Sequence, residues 1–316
     1  WSPSDRLLLS LPLHHAHGIV NGLLSALAVT ATCEILTSFD ALLVWERFAS
    51  GAITVFTAVP AMYHRLIAAW EAAPQPAQHA WSEGARRARL MMCGSAALPV
   101  QTLEWWRAIT GHILLERYGM TETGMVLSNP LHGERRPGFV GTPLPDVDMR
   151  LVDGSGQSVP DGTPGEIEVR GPLVFLEYWA RPAETRAAFR DGWFRTGDTA
   201  VRVDGSYRLL GRTSVDIIKT GGFKVSALEI EEVLRLHPAV AECAVVGVAD
   251  EQWGERVAAA IELRPSAGLS LQELQQWAKD RLAPYKVPMA LRTVDALPRN
   301  AVGKVVKPEV AALFNA

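Results

Sequence analysis

Three stretches of this sequence carry side chains suited to a nucleotide or a metal ion. Tyr118-Gly-Met-Thr-Glu122 offers the Thr121 hydroxyl to a phosphate and the Glu122 carboxylate to Mg²⁺. Asp198 has a carboxylate that can accept both hydroxyls of a ribose, and Lys304 is a cation that follows a glycine. Each also has a purely structural explanation: a helix N-cap for Thr121, a turn residue for Asp198 and a surface turn for Lys304.

A histidine cluster and a turn of small residues follow predicted strands. Pro12-Leu-His-His-Ala-His-Gly18 ends the apolar run that begins at Leu7, and Gly94-Ser-Ala-Ala-Leu-Pro99 follows a strand predicted at 89–93. Ligands of open α/β sheets bind at the carboxyl ends of strands. We therefore expect these turns to border a binding site.

The first 130 residues or so alternate between predicted strands and helices. Short apolar runs predict strands at 7–13, 53–58, 89–93 and 113–116. The polar, proline-bearing stretch 74–80 is predicted to be a loop. This alternation indicates a mostly parallel α/β sheet.

The pattern changes after Pro130, where turn signals separate short alternating strands and indicate a β-rich subdomain up to Gly211. The segment that follows holds a Gly221-Gly222 pair. Ser226 is then predicted to be a helix N-cap, with Glu229 completing a capping box. The remaining residues predict a small α+β domain.

Composition excludes several classes of protein. The 316 residues are 48% apolar and 21% charged, with a net charge of −3. This balance argues against a nucleic-acid binder, which would carry a basic stripe. The longest apolar run, 18–33, is too short to span a bilayer. The sequences GxxxxGK[ST], GxGxxG, HExxH and GxSxG do not occur, which removes the usual signals of P-loop, dinucleotide, zincin and α/β-hydrolase folds.

The remaining motifs occur together in one known family. Leu11-Pro-Leu-His-His-Ala-His-Gly18, Gly94–Pro99, Glu116-Arg-Tyr-Gly-Met-Thr-Glu-Thr123 and Gly211–Gly222 resemble the adenylate-forming acyl-CoA synthetases. Within that superfamily the chain is most similar to the malonyl-CoA synthetases, which include mitochondrial malonate–CoA ligases. The resemblance implies that 1–211 is the C-terminal part of a large AMP-binding domain, with an α/β sheet portion (1–130) and a β-rich subdomain (131–211). Residues 212–316 would form a small mobile domain.

The resemblance implies an AMP-forming acid–thiol ligase that uses ATP, Mg²⁺ and CoA. Thr121 would contact the α-phosphate, Glu122 would hold Mg²⁺, and Lys304 would stabilise charge while the acid's carboxylate displaces pyrophosphate in line. The CoA thiol would then attack the acyl-adenylate. The implied nucleotide-binding residues are Gly94, Ser95, Ala96, Tyr118, Gly119, Asp198 and Arg212.

The family's small domain rotates between these two steps. The resemblance places the hinge at Ser214 and brings the Gly221-Gly222 face to the pantetheine channel of CoA during thioester formation. The stretch around Ser214 is therefore expected to act as a switch between two half-reactions.

The acid is expected to be malonate or methylmalonate. Malonyl-CoA synthetases pair the second carboxylate with an arginine, a histidine and a serine, which match Arg65, His17 and Ser95. The alternatives are a solvated helix arginine for Arg65 and a core histidine for His17. A ligase for another short or medium-chain acid, or an inactive AMP- or CoA-binding remnant with a regulatory role, would also carry many of these motifs.

One family motif is missing from the chain. The Ser/Thr/Gly-rich loop ending in Pro-Lys-Gly, which grips the β- and γ-phosphates, does not occur and is expected upstream of Trp1. We expect a truncated polypeptide that adenylates poorly alone and exposes strand edges. The resemblance implies a mitochondrial matrix location, with a bacterial cytoplasmic one as the alternative. Its expected partners are small molecules, without nucleic acid or a membrane span, and the residues do not indicate an oligomeric state.

Overall fold

The chain divides into two units, which are described separately. Unit A comprises Trp1–Arg150, Glu168–Arg195 and Val203–Arg208, and unit B comprises Leu151–Ile167, Thr196–Arg202 and Leu209–Ala316. The structure is a computed structural model that describes residues 1–300 and 303–314. The predicted division between a large domain that ends at residue 211 and a mobile domain that begins at residue 212 stays a prediction.

The largest sheet has seven strands in the order β2-β1-β3-β4-β5-β6-β7. The strands are β1 (Arg6–Leu9), β2 (Thr32–Ile35), β3 (Val55–Ala58), β4 (Leu90–Cys93), β5 (Leu115–Met120), β6 (Gly124–Ser128) and β7 (Thr142–Pro143). Pairing is parallel from β2 to β5 and antiparallel from β5 to β7. The predicted mostly parallel α/β sheet is confirmed, and the carboxyl ends of β1, β3, β4 and β5 lie at one edge.

Helices cover both faces of this sheet. They are α1 (Ala16–Gly18), a π-helical segment (Ile19–Leu24), α2 (Ser25–Ala28), α3 (Ala41–Ala49), α4 (Pro60–Glu71), α5 (Gln75–Arg86) and α6 (Val100–Thr110). One face buries an aromatic cluster that includes Trp45, Phe48, Phe56 and Trp106. Val55 lies on the other face among leucines of β1, because side chains alternate along a strand.

The loop predicted at 74–80 is wrong, because α5 begins at Gln75. Pro74 is its N-cap and Pro76 lies in the first turn, where a missing N–H breaks no helical hydrogen bond. Trp81 of this helix stacks on buried Trp45, with ring centroids 5.6 Å apart. The packing of Trp81 against Trp45 therefore favours a helix despite the turn signals of the two prolines.

A second sheet has the strand order β10-β11-β9-β8, with β12 beside β11. Its elements are β8 (Asp148–Val152), β9 (Gly165–Arg170), α7 (Pro182–Ala188), β10 (Phe189–Arg190), β11 (Trp193–Val203) and β12 (Ser206–Arg212). The β-rich segment predicted after residue 130 is confirmed.

The third sheet, within unit B, has the order β14-β13-β16-β15 with β17 parallel to β16. Its elements are β13 (Ile217–Thr220), β14 (Phe223–Ser226), α8 (Ala227–Arg235), β15 (Val240–Asp250), β16 (Gly254–Leu263), α9 (Leu271–Lys279), a 3₁₀ turn (Pro284–Lys286), β17 (Ala290–Val294) and α10 (Lys307–Ala312). Helices α8 and α9 contribute to the hydrophobic cluster on one face, and α10 contributes Val310 to a second cluster.

The N-cap predicted at Ser226 is confirmed, because its hydroxyl accepts the Glu229 N–H at 3.3 Å. The reciprocal half of the capping box does not form, since the Glu229 carboxylate pairs with Lys286 at 2.6 Å. Among residues 1–300 and 303–314, no helix has the length and apolar character needed to cross a bilayer.

Candidate active site

The carboxyl ends of the parallel strands bring four polar side chains of unit A together. His17, in the helix α1 that follows β1, lies 2.9 Å from Ser95 Oγ through Nδ1 and 2.7 Å from Thr57 Oγ1 through Nε2. Arg117 donates from Nη2 to the same Thr57 oxygen at 3.2 Å. Residues far apart in the sequence thus form one hydrogen-bonded row, because β3, β4 and β5 are neighbours.

His17 is held neutral in this row. Its side chain is only 7% exposed, and burial together with the charge of Arg117 lowers the pKa of His17 to about 3. Burial also lowers the pKa of Arg117 to about 10, so the guanidinium still carries its charge at neutral pH. Its buried Nε donates to no acceptor in the described part of the chain. The site therefore holds a buried cation, with one donor that no described residue accepts, on the far side of Thr57 from a neutral imidazole.

Ser95 is the exposed end of this row and has a strained backbone conformation. Its φ is +70°, a left-handed value that only a few per cent of non-glycine residues adopt, and the residue is exposed. Ala96 is exposed beside it, and the loop is anchored where Leu98 N–H donates to the buried Glu116 carboxylate at 3.2 Å. The predicted small-residue turn thus presents the Ser95 hydroxyl from a fixed loop.

The Tyr118–Glu122 motif forms a tight connection between antiparallel strands. The explanation of Thr121 as a helix N-cap is wrong, because β5 ends at Met120 and β6 begins at Gly124. The register shifts at Gly119, where a Cβ atom would lie 2.0 Å from the Gly124 carbonyl oxygen. Only glycine fits there.

This connection holds the carboxylate that was predicted to bind Mg²⁺. Glu122 is half-buried, and its Oε1 accepts the Tyr178 hydroxyl at 3.0 Å. In the described ranges, no three His, Cys, Asp and Glu side chains gather as a metal site. A single carboxylate suits Mg²⁺ that takes its other ligands from phosphates and water.

Arg65 is not joined to the His17–Ser95 pair by a hydrogen bond or ion pair between described residues. It is an exposed residue of α4, and its guanidinium lies 4.8 Å above the ring of Phe39. Thr57 and Arg117, which sequence reasoning missed, take the adjacent place. The signal for Thr57 was a polar side chain near the end of the otherwise apolar strand β3, and Arg117 lies inside the motif Glu116–Thr123.

In unit B, Asp198 and Arg212 form an ion pair with Oδ1 and Nε 3.2 Å apart. Asp198 lies inside β11, so its explanation as a turn residue is wrong. Its N–H is donated to Thr196 Oγ1, and Arg212 Nη1 lies 3.4 Å from the Thr196 carbonyl oxygen. The Asp198 carboxylate is thus held by the Arg212 guanidinium, which also reaches the backbone of β11. The ribose-binding role of both residues stays a prediction.

Ser214 is exposed in the turn that follows Arg212. The Asp216 carboxylate closes this turn by accepting the Arg212 N–H at 2.8 Å. The strand that follows, β13, begins at Ile217. The hinge role of Ser214 stays a prediction.

Gly221 and Gly222 form the two-residue loop of the β13–β14 hairpin. Their φ values are +54° and +82°, which the type I′ turn favoured by tight hairpins requires. A Cβ on Gly221 would meet the Trp253 ring at 2.8 Å. The pair thus presents bare backbone beside an aromatic ring.

Lys304 is exposed and lies in a turn closed by Asn300. Its N–H donates to the Asn300 side-chain oxygen at 3.0 Å, and Asn300 N–H donates to the Lys304 carbonyl at 2.9 Å. Gly303 has φ +80°. Lys304 therefore lies in a surface turn, as its structural explanation expects. Its catalytic role stays a prediction.

Comparison with known families decides where this arrangement belongs. Residues 1–179 match the AMP-binding enzyme family, and residues 229–304 match the AMP-binding enzyme C-terminal domain. The chain belongs to the AMP-binding enzyme family. The resemblance inferred from the motifs is confirmed.

Curated AMP-binding relatives are similar along nearly the whole chain. Malonate–CoA ligase ACSF3, mitochondrial, of Xenopus laevis is 48% identical over 99% of this chain and 59% of its own length. The Homo sapiens protein of that name is 48% identical over 100% of this chain and 60% of its own. Malonate–CoA ligase of Arabidopsis thaliana is 45% identical over 98% and 54%. The chain thus spans somewhat more than half the length of these relatives.

Solved structures agree with the fold. ATP-bound MatB from Rhodopseudomonas palustris superposes with a TM-score of 0.91 at 37% identity, covering 99% of this chain and 61% of that one. A malonyl-CoA ligase in complex with methylmalonyl-CoA and AMP has a TM-score of 0.62 at 43% identity, covering 95% and 64%. The fold is therefore that of the adenylate-forming enzymes.

Proposed function

We propose that this chain is part of an ATP-dependent malonate–CoA ligase. The observation that carries the proposal is the buried Arg117 guanidinium with an unused Nε donor, beside neutral His17 and the exposed Ser95 hydroxyl. When an acid with a second carboxylate leaves water, that carboxylate needs a cation and hydrogen-bond donors around it. A fatty acid instead needs apolar side chains around its hydrocarbon tail. Relatives whose names state malonate as the substrate add support.

The reaction has two steps. One carboxylate oxygen of malonate attacks the α-phosphorus of ATP and pyrophosphate leaves, which yields malonyl-adenylate. The sulfur of CoA then attacks the acyl carbon, the thiol proton is lost and AMP leaves. Positioning and charge stabilisation supply most of the catalysis in such transfers.

Each set of residues has a proposed task. In unit A, the adenine side of the nucleotide is bound by Gly94, Ser95, Ala96, Tyr118 and Gly119. Thr121 donates to the α-phosphate, and Glu122 would hold Mg²⁺, which would neutralise phosphate charge. His17, Ser95 and Arg65 orient the acid, and we add Arg117 as a buried cation that supports them through Thr57. In unit B, Asp198 binds the ribose hydroxyls and Arg212 binds the ribose or a phosphate. Lys304 balances charge at the α-phosphate, and Gly221 and Gly222 border the CoA thiol arm.

Pyrophosphate release tests the proposal in a form of the enzyme that includes the phosphate loop. We expect the highest kcat/KM with malonate, a lower value with methylmalonate and little release with acetate or octanoate. A preference for acetate or octanoate would replace malonate by another acid. Nucleotide binding without pyrophosphate release with any acid would identify a regulatory remnant.

The names of the vertebrate relatives state a mitochondrial location, and we propose the same compartment for this enzyme. A fluorescent fusion of the natural full-length protein tests this. Diffuse cytoplasmic signal would contradict it.

A further inference from the structure

Thr57 is a fully buried hydroxyl that neither sequence motifs nor the family roles account for. It lies on β3 with no exposed surface, between the Nε2 atom of His17 at 2.7 Å and the Nη2 atom of Arg117 at 3.2 Å. Because β3 alternates its faces, Thr57 shares a face with Val55 and not with Phe56. A hydroxyl there interrupts an apolar surface.

The donor inventory fixes the direction of these hydrogen bonds. Arginine can only donate, so Thr57 Oγ1 accepts from Arg117. The Thr57 hydroxyl proton must then go to another acceptor, and among described residues the only one in range is His17 Nε2. An Nε2–H on His17 would instead direct two donors at Thr57 and leave a buried hydroxyl proton unpaired, which proteins avoid.

We propose that Thr57 is a positioning residue that fixes His17 as the Nδ1–H tautomer. The bonds then all run in one direction: Arg117 donates to Thr57, Thr57 donates to His17 Nε2, and His17 Nδ1–H donates to Ser95. Chains of hydrogen bonds aligned in this way strengthen one another in a low-dielectric interior.

The consequence lies at Ser95, the exposed end of the row. Its Oγ accepts from His17, so its own proton is directed away from His17 and is available to a ligand oxygen. A carboxylate is the group that such a donor, backed by a buried cation, recognises best. This last step rests on the proposed function, because it takes the ligand to be the second carboxylate of malonate.

The tautomer can be measured without any acid or nucleotide. In the chain labelled with ¹⁵N at histidine, long-range ¹H–¹⁵N correlation spectra distinguish a protonated ring nitrogen from a bare one. The signals of His17 are assigned by their loss in His17→Gln. We expect a protonated Nδ1 and a bare Nε2, and a protonated Nε2 would overturn the proposal.

Three variants separate Thr57 from its neighbours. Thr57→Ser keeps the hydroxyl and should keep the tautomer. Ser95→Ala removes the partner of Nδ1 and should also keep it, because Thr57 still donates to Nε2. Thr57→Val keeps the shape but leaves only Ser95, which can donate or accept, so both nitrogens should shift towards intermediate values. A pure Nδ1–H tautomer in folded Thr57→Val, or its loss in Ser95→Ala, would refute the role of Thr57.

Should Thr57→Val not fold, the unmodified chain and the other two variants still decide the question. In a form of the enzyme that turns over malonate, a folded Thr57→Val should raise KM for malonate about tenfold, the effect of weakening one hydrogen bond to a charged group. The two failures differ: a wrong tautomer refutes the row and leaves malonate activation standing. Absence of malonate turnover refutes the function and leaves the tautomer standing.

Discussion

The neutral state of buried His17 should make the stability of unit A depend on pH. Burial and the charge of Arg117 lower the pKa of His17 from 6.5 to about 3. In the unfolded chain the same imidazole takes up a proton near its ordinary pKa. The folded state is therefore favoured above pH 6.5, and this contribution is lost as the pH falls from 6.5 towards 3.

The size of the effect follows from the width of that window. Between about pH 7 and about pH 4.5 the unfolded chain binds the proton over roughly two pH units while the folded chain does not. At about 1.4 kcal/mol per unit, the loss attributable to His17 is about 2–3 kcal/mol. Other groups also titrate in this range, so the prediction concerns the difference between the unmodified chain and His17→Gln, which cannot titrate.

Urea unfolding at the two pH values measures this difference. Tryptophan fluorescence reports mainly on unit A, whose core holds Trp45 and Trp106. His14→Gln is the matched control, because His14 is exposed and loses little hydration on folding. On going from about pH 7 to about pH 4.5, we expect the free energy of unfolding of His17→Gln to fall by about 2–3 kcal/mol less than that of the unmodified chain. His14→Gln should behave like the unmodified chain. Equal losses in all three proteins would show that His17 is not held neutral.

Three further outcomes test other parts of the site. Gly119→Ala should destabilise unit A by about 3 kcal/mol or more, because its Cβ would lie 2.0 Å from the Gly124 carbonyl, whereas Gly154→Ala meets nothing within 4 Å and serves as the control in thermal unfolding. A normal melting temperature for Gly119→Ala would contradict the close approach of the two strands at this position. In active enzyme, Arg65→Leu should lower kcat/KM for malonate about tenfold or more through a lost charged contact, and undiminished use of malonate would remove Arg65 from the acid site. Ser214→Pro should fix one backbone conformer and therefore change the rates of adenylation and thioester formation unequally. An equal loss of both rates would refute the hinge assignment.

Local rules explain why much of the fold was predictable. Ser226 caps its helix and Gly221-Gly222 form a hairpin loop because short-range stereochemistry decides such features. The same rules failed at Gln75, where the stacking of Trp81 on Trp45 stabilises a helix that the prolines argued against. That contact joins distant parts of the chain.

By itself the sequence determined the family, the α/β class and the order of the motifs, because these depend on residue types and spacing along the chain. Only the tertiary structure decided what surrounds His17. Thr57 and Arg117 are 60 residues apart; Thr57 belongs to no motif, and the motif that contains Arg117 assigns no role to it. They meet because β3, β4 and β5 are neighbours in the sheet, and burial there turns an ordinary hydroxyl and an ordinary arginine into partners of a neutral histidine.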